Sequence, residues 1–204
     1  MNRSVLRLYL IASSSSFKNP LKDLETAFKA GVTCFQLREK GENIKSGEDL
    51  IQFAMEVKDL CQKYKVTFII NDDVELQRIV DADGVHVGQA DINPKDLPAF
   101  LNNKIIGLSV GNLEELKQSD LSRVDYLGCG PVYPTSSKDD AGQAIGLSGL
   151  KEISKKTTLP IVAIGGITVD NFKSCLLNGA DGISVISAIT QSANIDQTVT
   201  QFLS

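Results

Sequence analysis

The sequence contains a single histidine, His86, and it lies inside an apolar, strand-like run. A Ser-His-Asp triad or a cysteine–histidine pair therefore has no base unless His86 itself serves. Its setting predicts a residue of the core or of a barrel interior instead. The four cysteines, Cys34, Cys61, Cys129 and Cys175, show no CxxC spacing. Cys34 and Cys129 sit in apolar runs, where a free thiol behaves as a small buried hydrophobe. No run approaches the length of a membrane span. The first twelve residues hold Arg3 and Arg7 but no cleavage pattern. The expectation is a cytoplasmic protein with reduced thiols and no membrane partner. Excess positive charge is missing too. A formal net charge of −4 gives no reason to expect nucleic acid or an anionic membrane. An anionic small ligand would need locally placed cations.

What is present is a globular composition, 42% hydrophobic and 23% charged, in 204 residues. That length buries a full core as one domain. No linker interrupts it, so residues 1–204 are expected to form a single domain. Val66-Thr67-Phe68-Ile69-Ile70 is a β-branched run that ends in Asn71-Asp72-Asp73. Gly84-Val85-His86-Val87 is a second run, and it ends in Gly88-Gln89-Ala90-Asp91. Short continuous apolar runs suit strands buried on both faces of a parallel sheet. Between the two, residues 74–81 have helical spacing.

The same alternation extends along the chain. Strands are predicted over 5–12, 33–37, 104–110, 125–129, 160–164 and 182–186. Helices are predicted over 21–30, 49–64, 113–118, 148–155 and 170–178. A short helix is predicted over 95–101, and a final one from Ser187 toward the C-terminus. About eight strands alternating with helices is the α/β pattern of a small, single-domain (β/α)8 TIM barrel. Ala82-Asp83-Gly84 and Ala180-Asp181-Gly182 each lead into a strand. This reads as reuse of one helix-to-strand turn.

In such folds ligands bind beyond the carboxyl ends of the strands. Those ends carry Gln36, Arg38 and Lys40, then Asn71 and Asp72, then Asp91, then Ser109. The sixth carries Thr135, Ser137 and Lys138, on a loop that runs to about Gly146 and is long for an α/β connection. The last two carry Gly165 and Gly166, and Ile186 and Ser187. Asp72 and Asp91 leave adjacent strands and could hold a hard cation such as Mg²⁺. Equally, Asp72 or Asp73 caps the following helix, and Asp91 is a solvated residue ahead of an Asn93-Pro94 helix start. Arg38, Lys40 and Lys138, with such a cation, would bind a polyanion such as a diphosphate. Gly165-Gly166 and Ile186-Ser187 stand where barrels commonly hold a phosphate. Singly these are loop charges and tight turns. Together at successive strand ends they point to an enzyme with small phosphorylated substrates.

Several stretches resemble the thiamine-phosphate synthase family. They are Gln36-Leu37-Arg38-Glu39-Lys40, Ile70-Asn71-Asp72-Asp73 and His86-Val87-Gly88-Gln89-Ala90-Asp91. So do Gly130-Pro131-Val132-Tyr133-Pro134-Thr135-Ser136-Ser137-Lys138, Ile164-Gly165-Gly166-Ile167 and Val185-Ile186-Ser187. The likeness spans nearly the whole chain, in order. The Pro-Thr-x-x-Lys loop is its most specific part. It implies the joining of a hydroxymethylpyrimidine diphosphate to a hydroxyethylthiazole phosphate, giving thiamine phosphate and pyrophosphate. On this likeness Asp72 and Asp91 would ligate Mg²⁺. Gln36, Arg38, Lys40, Asn71, Ser109 and Lys138 would contact the pyrimidine diphosphate, with Arg38, Lys40 and Lys138 as the catalytic cations. Thr135, Ser137, Gly166, Ile186 and Ser187 would hold the thiazole phosphate.

The chain departs from that pattern at two points. Gly111 stands where the family often has histidine after the fifth strand, and Ser137 where threonine is usual. The second change keeps the hydroxyl. A thiazole tautomerase of the same fold is the near alternative, but it needs no diphosphate and metal cluster. A non-catalytic phosphate-binding barrel is the other. Nothing in the sequence specifies an oligomeric state.

Overall fold

The computed structural model describes residues 2–137 and 142–204. Its strands are β1 (Leu8–Ala12), β2 (Cys34–Leu37), β3 (Thr67–Asn71), β4 (Gly84–Val87), β5 (Ile105–Val110), β6 (Tyr126–Cys129), β7 (Ile161–Ile164) and β8 (Gly182–Val185). They pair in chain order, all parallel, and β8 closes on β1. The helices are α1 (Pro20–Ala30), α2 (Gly47–Tyr64), α3 (Val74–Val80), α4 (Leu113–Gln118), α5 (Gly146–Ser154), α6 (Phe172–Leu177), α7 (Ser187–Thr190) and α8 (Ile195–Leu203). The expected (β/α)8 barrel is thus observed.

Alternation along each strand divides the interior in two. Leu8, Leu10, Phe35, Leu37, Phe68, Ile70, Leu127, Ala163 and Val185 face outward into the layer beneath the helices. Tyr9, Ile11, Cys34, Ile69, Tyr126 and Val162 fill the barrel itself. With both faces buried, period-two alternation in hydrophobicity largely disappears, and the strands read as mostly apolar runs interrupted by a few buried polar residues such as Gln36, His86 and Ser184.

The repeated Ala-Asp-Gly turn has a physical basis. Asp83 donates its N–H to the Phe68 carbonyl at 2.9 Å, while its Oδ2 accepts from the Phe68 N–H at 2.8 Å. Asp181 makes the same reciprocal pair with Ile161, both bonds 2.8 Å. Asp125 does so with Ile106, at 2.8 and 2.9 Å. Each aspartate stitches its own incoming strand to the first residues of the one before.

Three predicted elements differ. Residues 3–6 form a 3-10 turn capped by Asn2, so β1 starts at Leu8. The helix expected over 95–101 is two 3-10 turns, Pro94–Asp96 and Ala99–Leu101. Leu97 between them is extended because Pro98 follows it. The final helix is broken after Thr190, and Asn194 caps a new start by accepting from the Gln197 N–H at 3.2 Å.

Candidate active site

The C-terminal ends of the strands form one mouth, and the predicted residues divide around it into two sectors and a floor. Over β2 to β4, Asn71 ends β3 and is followed by Asp72 and Asp73. Their side chains part company. Asp73 caps α3, its carboxylate accepting from the Leu76 N–H at 2.8 Å. Asp72, one residue earlier, has φ +59° and is not the cap. The left-handed backbone turns it instead toward the mouth, where Asn71 Nδ2 donates to its Oδ2 at 2.6 Å and Lys40 Nζ lies 2.6 Å from the same oxygen. Burial pushes the Asp72 carboxyl above its ordinary range. Lys40 pulls it back down, and the adjacent Asp91 carboxylate, within hydrogen-bond reach, raises it again. Asp91 also accepts from the Gly88 N–H at 2.8 Å, so part of its role is to shape its own turn.

Two adjacent carboxylates make an oxygen donor pair that suits a hard divalent ion. Among the described residues there is no cluster of three or more His, Cys, Asp or Glu side chains. An ion on Asp72 and Asp91 would therefore draw its remaining ligands from water and substrate. That fits Mg²⁺, which keeps several such positions open.

Arg38 and Lys40 follow β2. Arg38 is half-buried and its N–H donates to the Ala12 carbonyl at 3.0 Å. Between them, Glu39 turns inward. It accepts from the Ser14 N–H, from Ser14 Oγ at 2.8 Å and from the Lys45 N–H at 3.0 Å. It ties the serine-rich loop after β1 to the loop that carries the two cations. Lys138 lies outside the described residues.

The floor is polar and buried. Gln36 Nε2 donates to Tyr9 Oη at 2.8 Å, and Tyr9 Oη lies 2.8 Å from Tyr126 Oη. Tyr126 Oη is 3.0 Å from His86 Nδ1, and His86 Nε2 is 2.9 Å from Ser109 Oγ. Burial raises both tyrosine hydroxyls well above their ordinary range, so both are neutral. Gln36 Oε1 and Ser184 Oγ are buried with no hydrogen-bond partner among the described residues.

Over β6 to β8 the long loop is laid along the end of β7. The Val132 and Tyr133 N–H groups donate to the Ile164 and Gly165 carbonyls at 2.8 and 3.0 Å. This brings Ser137 Oγ to 2.9 Å from Ser187 Oγ, while the Ser137 N–H donates to Thr135 Oγ1 at 3.1 Å. Gly166 has φ +62°, and a Cβ there would stand 2.6 Å from the Pro134 carbonyl oxygen. Its glycine thus lets loop and strand end meet. Ser187 opens only a four-residue helix.

Tyr9, Tyr126 and Glu39 did not emerge from the sequence as members of the site. The available signal was Gly107 and Gly128, glycines inside strands, which often mark a close approach. A Cβ on Gly107 would collide with Tyr126 and His86, and one on Gly128 would lie 3.0 Å from His86 Cε1. A second concavity, lined by Cys61, Lys65, Asp83 and Lys104, opens at the opposite end of the barrel and shares no residue with this mouth.

Residues 8–189 match the family model described as thiamine monophosphate synthase. The chain is 51% identical over 194 residues to a thiamine-phosphate synthase of Staphylococcus epidermidis, covering 95% of this chain and 90% of that protein. It is 50% identical over 195 residues to one of Streptococcus suis, covering 94% and 85%. The solved thiamine phosphate pyrophosphorylase of Pyrococcus furiosus superposes with a TM-score of 0.89 at 34% identity, over 98% of this chain and 95% of that one.

Proposed function

The chain belongs to the thiamine monophosphate synthase family and is a transferase of thiamine biosynthesis; on that premise we propose how its mouth works. The reaction joins hydroxymethylpyrimidine diphosphate to hydroxyethylthiazole phosphate and releases pyrophosphate. The observation that carries the assignment is the convergence of Asp72, Asp91 and Lys40 on one side of the mouth, opposite the Thr135–Ser137–Ser187 hydroxyl cluster. A two-substrate coupling of phosphorylated reactants needs two such anion subsites facing across one opening.

In this reading Asp72 and Asp91 hold Mg²⁺, and Arg38, Lys40 and Lys138 bind the diphosphate. Gln36, Asn71 and Ser109 contact the pyrimidine. Thr135, Ser137, Gly166, Ile186 and Ser187 hold the thiazole phosphate. The C–O bond to the diphosphate breaks early, its electron pair leaving with pyrophosphate, and a resonance-stabilised pyrimidinylmethyl cation remains. The thiazole nitrogen then donates its lone pair to that carbon. No nucleophilic side chain and no strong base take part. The work of the protein is to neutralise a leaving diphosphate and to hold two reactants in line. When bound, Mg²⁺ would supply Lewis-acid stabilisation to the departing oxygens. Lys40 would then pass from its ion pair with Asp72 to the phosphate.

All four cysteines are buried free thiols, which suits a reducing compartment, and we place the enzyme in the cytoplasm. No helix among the described residues is long and apolar enough to cross a membrane.

Pyrophosphate release against Mg²⁺ concentration tests the assignment. Wild type should need the ion and stop with chelator. Asp72→Asn and Asp91→Asn should each fold and be nearly inactive. Full activity of either variant in chelator would return both residues to turn-shaping roles. Turnover requiring both substrates separates the synthase from a tautomerase and from a passive phosphate-binding barrel.

A further inference from the structure

We propose that the buried chain Gln36–Tyr9–Tyr126–His86–Ser109 is a one-directional hydrogen-bond relay that holds His86 as its Nε2–H tautomer. Tyr9, Tyr126 and His86 are then positioning residues. They set what Gln36 and Ser109 present to a ligand on the floor of the mouth.

Hydrogen counting makes the relay one-directional, and the Gln36 amide, whose Nε2 faces Tyr9, sets which way it runs. A tyrosine or serine hydroxyl has one hydrogen, and a neutral imidazole has one protonated nitrogen. Gln36 Nε2 donates into Tyr9 Oη. If Tyr9 passes its hydrogen to Tyr126, Tyr126 passes its own to His86 Nδ1. His86 must then carry its proton on Nε2 and donate to Ser109 Oγ. Each bond then has one hydrogen and one good acceptor. Were Tyr126 to donate to Tyr9 instead, the Tyr9 hydrogen would fall to the thiol of Cys34, a weak acceptor.

The two ends follow from the middle. Ser109 accepts from His86, so its own hydrogen is turned toward the mouth as a donor. Gln36 uses its nitrogen on Tyr9, so its Oε1, 1% exposed and without a partner among the described residues, is an acceptor. Turning the Gln36 amide over would reverse every bond in the chain and leave Ser109 offering lone pairs only. The ends are therefore linked through buried side chains. The chain is also sterically built in, because Gly107 and Gly128 are the positions where a Cβ would collide with Tyr126 or crowd His86. The fitting ligand is a heteroaromatic ring with an amino donor for Gln36 and a ring-nitrogen acceptor for Ser109. That last step rests on the pyrimidine reading above; the tautomer does not.

Because His86 is the sole histidine, ¹⁵N NMR of histidine-labelled protein reads it without assignment ambiguity. At neutral pH the expected spectrum has a protonated Nε2 and an unprotonated Nδ1. A protonated Nδ1, alone or in an imidazolium, overturns the proposal. Tyr126→Phe keeps the buried ring and removes the hydroxyl. The single-tautomer spectrum should be lost, and KM for the pyrimidine diphosphate should rise about tenfold, with KM for the thiazole phosphate unchanged. A wild-type spectrum, or an equal rise in both KM values, overturns the positioning role. If the wild-type protein turns over neither substrate, the functional reading fails and the spectrum still decides the tautomer.

Discussion

At the scale of single residues, Asp72 is held by conflicting demands. Burial and the Asp91 carboxylate favour its protonated form, while Lys40 favours the charged one, and the net direction is upward. A carboxyl whose folded pKa exceeds its unfolded value contributes stability that is present at low pH. That contribution is lost as pH rises through the window between the two values. Asp72→Asn removes this dependence. In chelator, the stability of the variant relative to wild type should therefore improve as pH rises through that window. Thermal melts of both proteins across acidic pH measure it. Asparagine also tolerates the φ of +59°, so the backbone is spared. Lys138 belongs to the same charge logic. In the proposed role of a cation on the departing diphosphate, its loss in Lys138→Ala should cost about 2–4 kcal/mol of transition-state stabilisation. An unchanged turnover rate in a folded variant would remove it from the catalytic set.

At the scale of elements, the reciprocal aspartate turns hold adjacent strands in register. Asp125→Ala would leave the Ile106 N–H without its acceptor and should cost about 1–3 kcal/mol. Asp125→Asn, which keeps an oxygen, should cost less, and denaturant midpoints compare the two. The β6–β7 connection makes a different demand. Gly166 combines a left-handed backbone with close contact to Tyr133 and Pro134. Gly166→Val should therefore displace the loop that carries Thr135 and Ser137. KM for the thiazole phosphate should rise well above any change for the pyrimidine diphosphate. Equal changes would count against the division of the mouth into sectors. These turns also show what sequence reading detects. The Ala-Asp-Gly repeat was visible at residues 82–84 and 180–182. The third copy of the turn, at Asp125, was not, because Val124 and Tyr126 replace its neighbours and only the aspartate does the bonding.

At the scale of the whole molecule, the barrel was legible because each strand is a short, buried and mostly apolar run and the helices between them are separate segments. Those are local properties that survive without knowing the neighbours. The strand-end residues were legible for the same reason: polarity that begins abruptly after an apolar run marks a mouth wherever the strands are parallel. Barrel closure decided the rest. Only the register that sets Asn71 beside His86 and Ser109 beside Gly128 lines up a five-residue chain across the floor. Only the φ of Asp72 separates the residue that faces Asp91 from its neighbour that caps α3. Local sequence determines which segments are buried and where polarity begins. Which buried polar group meets which, and which of two adjacent carboxylates faces the ligand, depends on residues from distant strands brought within a few ångströms, and that only the closed sheet supplies.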